Sequence, residues 1–124
     1  MATILHFISA VFFLTLIGQG NGQCYPLTDL KVFQSKTGGK VGNKEEWKVT
    51  IFNDCICTQW NIKLVCNGFQ TVKKIDPSMV ARAEDDTCRI NKKQPLYGFH
   101  TFNFTYAWDQ IYPFQPIYSE IACS

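Results

Sequence analysis

Histidine is scarce in this chain, with two residues in 124, and the usual catalytic signatures are missing. There is no Gly-x-Ser-x-Gly elbow and no His-Glu-x-x-His helix, which removes the commonest serine-hydrolase and zinc-protease readings. No run of Lys or Arg exceeds a pair, Lys73-Lys74 and Lys92-Lys93, and the formal net charge is only +2. That balance is too weak to argue for nucleic acid or an anionic membrane surface. Internal repeats, low-complexity tracts and Pro- or Ser-rich linkers are absent, so the chain reads as one domain. No stretch keeps a 3.6-residue apolar period over three turns, which speaks against a helical fold.

The first charged side chain is Asp29. Before it, Ile4 to Ile17 is almost continuously apolar, yet shorter than the roughly 20 residues a bilayer-spanning helix needs. Small residues follow, and Gly20 and Gly22 suit the pockets of a signal peptidase. Residues 1–22 are therefore expected to be a secretory signal cleaved before Gln23, leaving residues 23–124 as a secreted, extracellular domain with no membrane attachment after signal removal.

Six cysteines are present, Cys24, Cys55, Cys57, Cys66, Cys88 and Cys123, all of them after the signal. An even count in a short secreted chain predicts three disulfides, with the choice among 15 pairings left open by sequence. Zinc is the weaker reading. Cys55-Ile56-Cys57 has one intervening residue where zinc knuckles use two to four, and His100 is the only histidine in the secreted part. No metal or other cofactor is expected.

The secreted part alternates with period two. Leu30 and Val32, then Trp47, Val49 and Ile51, then Trp60, Ile62, Leu64 and Cys66, and finally Phe102, Phe104, Tyr106 and Trp108 each mark one strand face. The expected strands are 28–34, 47–53, 60–66, 69–75, 100–109 and 112–123, the last pushed to a sheet edge by Pro113 and Pro116. Ser35 to Asn43, with three glycines, reads as a loop. Pro77 is expected to open a helical turn through Ala83, and Arg82 to Gln94 to be turn-like around Cys88. The fold class that follows is all-β, a single small antiparallel β-sandwich of six to eight short strands stabilised by disulfides.

Few residues offer chemistry. Glu45-Glu46 and Asp85-Asp86 are adjacent carboxylates, but adjacency alone does not bring two acids to one bond. With every cysteine expected in a bridge, no thiol nucleophile remains, and the chain reads as a non-enzyme. Asn103-Phe104-Thr105 is an N-glycosylation sequon, and Asn103 falls on the face of its strand opposite the aromatics. Trp47 and Trp108 fit the core. Trp60, with polar neighbours Gln59 and Asn61, fits it less well, and exposed rings would allow a second reading, a secreted module that stacks on cell-wall polysaccharide.

Taken together, the segments resemble the plant tapetum determinant family of small secreted cysteine-rich proteins. The resemblance is carried by Cys24 with Thr28 to Val32 and Gln34 to Gly38, by Glu46 to Cys57, by Cys66 to Val72, by Ile75 to Ser78, by Cys88 with Ile90-Asn91, by Phe104 to Asp109 and by Ala122-Cys123. What it implies is a secreted ligand of a leucine-rich-repeat receptor kinase ectodomain that specifies cell fate in plant reproductive development. Interface hot spots favour aromatics and arginine. Trp60, Arg82, Arg89 and Tyr97, in or near the expected loops, are the candidate receptor contacts.

Overall fold

A computed structural model describes residues 24–123; the expected signal peptide at residues 1–22 lies outside them. The chain makes a short helical turn, α1 (Pro26–Asp29), and seven strands: β1 (Leu30–Val41), β2 (Lys44–Asn53), β3 (Thr58–Val65), β4 (Val80–Arg82), β5 (Thr87–Ile90), β6 (Thr101–Ala107) and β7 (Gln115–Ala122). They form two antiparallel sheets, ordered β1-β2-β6 and β4-β5-β3-β7. The all-β fold read from the period-two pattern, and the disulfide stabilisation read from the cysteine count, are the ones observed.

The inner faces meet in one core. Val49, Ile51, Phe104 and Tyr106 come from the first sheet, and Ile62, Leu64, Cys88 and Ile90 from the second. Phe69, from the β3–β4 connection, and Tyr112 and Phe114, from the segment that links β6 to β7, fill the space between. Phe69 meets the rings of Tyr106, Tyr112 and Phe114 edge-on at 5.2–5.3 Å between centroids. Such pairs contribute about 0.5–1.5 kcal/mol each beyond area burial.

Three sulfur bridges join Cys24 to Cys55, Cys57 to Cys123 and Cys66 to Cys88. The first two meet at one end of the sandwich, where the sulfurs of Cys24, Cys55 and Cys57 lie within 4.8 Å of one another. Sulfurs engaged in disulfides are not the thiolates a zinc site needs.

Several local expectations are corrected. Ser35 to Val41 is strand, not loop. Pairing of β1 with β2 continues to Val41↔Lys44, closed by Gly42 and Asn43 with φ of 54° and 64°, the two positive values a tight hairpin turn demands. The glycines at 38 and 39 fall in a bulge between Lys36 and Lys40. Residues 69–75 are irregular rather than extended, because Phe69 turns into the core and the segment bonds to neighbours outside a ladder. Val72 N–H donates to the Ala107 carbonyl (3.0 Å), and Ala107 N–H donates to Thr71 Oγ1 (3.0 Å). The helical turn from Pro77 stops early. Met79 N–H closes on the Asp76 carbonyl (2.8 Å) and β4 starts at Val80. The supposedly turn-like 82–94 stretch contains β5, in which Thr87, Cys88 and Ile90 are buried.

β3 carries the most consequential departure. Its register against β7 shifts between Trp60 and Lys63, and Asn61 sits at φ 50°. The extra residue breaks the alternation. Gln59, fully buried, points inward where Trp60 would have been expected.

Candidate recognition surface

The bulge creates a buried polar knot next to the doubly bridged end. Asn53 Nδ2 donates to the carbonyls of Cys57 (2.8 Å) and Leu96 (3.0 Å). Gln59 Nε2 donates to Asn53 Oδ1 (2.9 Å), and Ser119 Oγ donates to Gln59 Oε1 (2.6 Å). Asn53 and Gln59 are both fully buried, and full pairing is what makes buried amides tolerable there. Gly98 completes this end. A Cβ on it would stand 2.4 Å from the Ile56 carbonyl oxygen, so only glycine lets the two backbones approach. Sequence reading missed Asn53, Gln59 and Gly98 because the knot closes only when Leu96, Ser119 and the Ile56 backbone are brought in from distant parts of the chain.

The candidate contacts do not form one patch. Arg89 pairs with Lys63, which pairs with Tyr118, and this row is opposite in face to the buried Leu64–Cys88 pair. Arg89 thus lies on the outer face of the four-stranded sheet, where Lys63 Nζ sits 5.2 Å from the Tyr118 ring centroid. Trp60, half-buried and paired with Glu120, shares that face. Tyr97 is exposed and stands one residue beyond the Gln59↔Leu96 bridge, packing edge-on against His100 at 5.9 Å. Arg82 is apart from all three. It ends β4 and its guanidinium donates to the Phe69 carbonyl. Tyr97 is the only one of the four in a loop; the others are strand residues.

Beside Arg82 a cleft of about 260 Å³ is lined by residues of 69–75 together with Val80, Arg82 and Cys88. Lys73 on its wall donates to Glu46 Oε2 (2.6 Å) and to Thr105 Oγ1. The Lys73 ammonium, followed by the Thr37 hydroxyl, holds the Glu46 carboxyl below the ordinary glutamate range. Glu46 is thereby committed to an ion pair rather than poised for proton transfer.

On the opposite sheet Asn103 is exposed, in the row Phe33↔Thr50↔Asn103. Trp47 and Trp108 are half-buried against the core. Lys36 Nζ and Lys44 Nζ stand 5.6 and 5.4 Å from their ring centroids, so neither ring is an open platform for a sugar. Among the described residues, no helix is long and apolar enough to cross a membrane.

A two-sheet sandwich closed by three bridges, with its polar knot spent on structure, defines a small cysteine-rich protein that presents a surface. The chain belongs to the tapetum determinant family: the family described as "Tapetum determinant 1, C-terminal" matches residues 26–124. It is 31% identical over 102 residues to TPD1 protein homolog 1 of Arabidopsis thaliana, covering 78% of this chain and 57% of that relative. The chain thus corresponds to little more than half the length of the curated relative. No solved structure matches it.

Proposed function

We propose that the chain is a secreted plant signalling protein, the ligand of a leucine-rich-repeat receptor kinase, acting in cell-fate specification during reproductive development. Family membership across residues 26–124 is the observation that carries this reading. The three bridges support it in two ways. Disulfides persist outside the cytosol, and a cross-linked sandwich binds with little ordering of its own. The concave face of a repeat solenoid is suited to such a rigid body. The outer face of the four-stranded sheet, with Trp60 and Arg89, is the proposed contact, and exposed Tyr97 extends it past the Gln59↔Leu96 bridge.

The test is direct binding of the secreted protein to immobilised receptor ectodomains. Saturable binding is expected, and Trp60→Ala or Arg89→Ala should each weaken it by about tenfold, the scale of a hot-spot loss. Circular dichroism of each variant separates contact loss from misfolding. Retention on insoluble wall polysaccharide, reversed by free oligosaccharide and with no ectodomain bound, would replace this reading with the polysaccharide one.

A further inference from the structure

The cleft beside the Cys66–Cys88 bridge has a one-signed lining. Lys73, Lys74 and Arg82 contribute to its wall, and no Asp or Glu does. Lys73 is neutralised by Glu46. Lys74 and Arg82, both exposed, form no ion pair among the described residues. Arg82 gives one donor to the Phe69 carbonyl. A guanidinium has five, so its remaining edge can take a carboxylate in two parallel hydrogen bonds.

We propose that this cleft receives an acidic side chain from a segment of an extracellular protein partner. Its volume, about 260 Å³, is below the roughly 300–1,000 Å³ of small-molecule pockets and suits one side chain. The walls are already ordered. Cys88 is held by its bridge to Cys66, Phe69 by three rings, and Arg82 by the Phe69 carbonyl. Little conformational freedom remains to be lost on binding. An acidic sugar is the competing source of a carboxylate, and the cleft is poorly made for it. Its one aromatic, Phe69, is buried with its ring engaged in the core, so no open ring is left for a pyranose to stack on. Assigning the acidic segment to the receptor rests on the ligand reading above; the preference for a carboxylate does not.

The experiment titrates the isotope-labelled, folded protein with three probes while following backbone amide resonances: a blocked tetraglutamate peptide, its tetraglutamine counterpart, and trigalacturonate. Tetraglutamate should shift the amides of residues 71–75 and Arg82 saturably at about 20 mM salt, weakening several-fold by about 300 mM as screening grows. Lys74→Glu, at an exposed position outside the strands, should reduce that affinity about tenfold or more by reversing the charge. Arg82→Lys, which keeps charge but loses the planar fork, should also weaken it.

The proposal is overturned if tetraglutamine binds equally, if no saturable shift appears at these residues, or if Lys74→Glu leaves the titration unchanged. Tighter binding of trigalacturonate at the same amides overturns the protein-segment assignment. Binding of Lys74→Glu to receptor ectodomains adds a separate readout. Loss there places the cleft in the receptor interface. Unchanged ectodomain binding alongside a lost peptide response overturns the receptor assignment alone and leaves the ligand reading standing.

Discussion

One hydroxyl, that of Tyr106, joins three parts of the chain. It donates to Gln34 Oε1 (2.8 Å) and accepts Tyr112 N–H (3.0 Å), while Gln34 Nε2 returns to the Tyr112 carbonyl (2.5 Å). Tyr106 is fully buried, so Tyr106→Phe would leave the buried Tyr112 N–H and the part-buried Gln34 Oε1 without this partner. A loss of about 1–3 kcal/mol is expected in denaturant unfolding. Burial also raises the phenol above its usual pKa of 10.0. The folded state therefore holds this proton more tightly than the unfolded chain. Its contribution is whole below the unfolded pKa and is lost as pH rises toward the folded one. Tyr106→Phe should show a shallower alkaline loss of stability than the parent protein, measured by unfolding midpoints between neutral and strongly alkaline pH. Gly98→Ala should be costly for a different reason, overpacking against the Ile56 backbone, by about 1–3 kcal/mol. An equally stable Gly98→Ala protein would show that this close approach is not required. The inward place of Tyr106 was legible in the alternation of residues 102–108. Its hydrogen bonds were not, because Gln34 and Tyr112 are fixed beside it by sheet pairing and by the return of the chain.

At the scale of elements, long strands with strong alternation were readable and short or interrupted ones were not. Trp47, Val49 and Ile51 mark β2 without ambiguity, since apolar residues fall at every second position there. β5 has only four residues, and its inward Cys88 looked like part of a polar turn. What makes it a strand is tertiary: Cys88 is tied to Cys66 at the end of β3, and Leu64↔Cys88 sets the register. β1 was cut short by glycines that in fact serve its bulge and its hairpin turn. The Cys66–Cys88 bridge therefore anchors the β3–β5 pairing and one wall of the cleft at once. Replacing both cysteines by alanine should cost about 2–4 kcal/mol in reversible unfolding. It should also raise amide exchange in β4 and β5 before the first sheet, because those two strands hang on β3 through this pair. Uniform loss of protection across both sheets would instead mean that the bridge acts only on the unfolded chain.

For the whole molecule, the two sheets offer different outer surfaces. The three-stranded sheet exposes Asn103 within the Asn103-Phe104-Thr105 sequon, on its edge strand β6. Phe104 is buried in the core while Asn103 points to solvent, so a glycan there would disturb no packing. It would spread over the row that runs through Thr50 to exposed Phe33. The four-stranded sheet has no sequon and carries Trp60 and Arg89. A glycan on one side and a contact face on the other are compatible, and their independence can be measured. Secreted protein from a plant host should lose mass on enzymatic removal of N-glycans, and Asn103→Gln should lack that mass from the start. If the contact face is the four-stranded sheet, Asn103→Gln should bind receptor ectodomains within about twofold of the glycosylated protein, since additivity holds for sites without shared partners. Weakened binding by Asn103→Gln with an intact fold would move the interface to the three-stranded sheet, and with it the exposed Phe33.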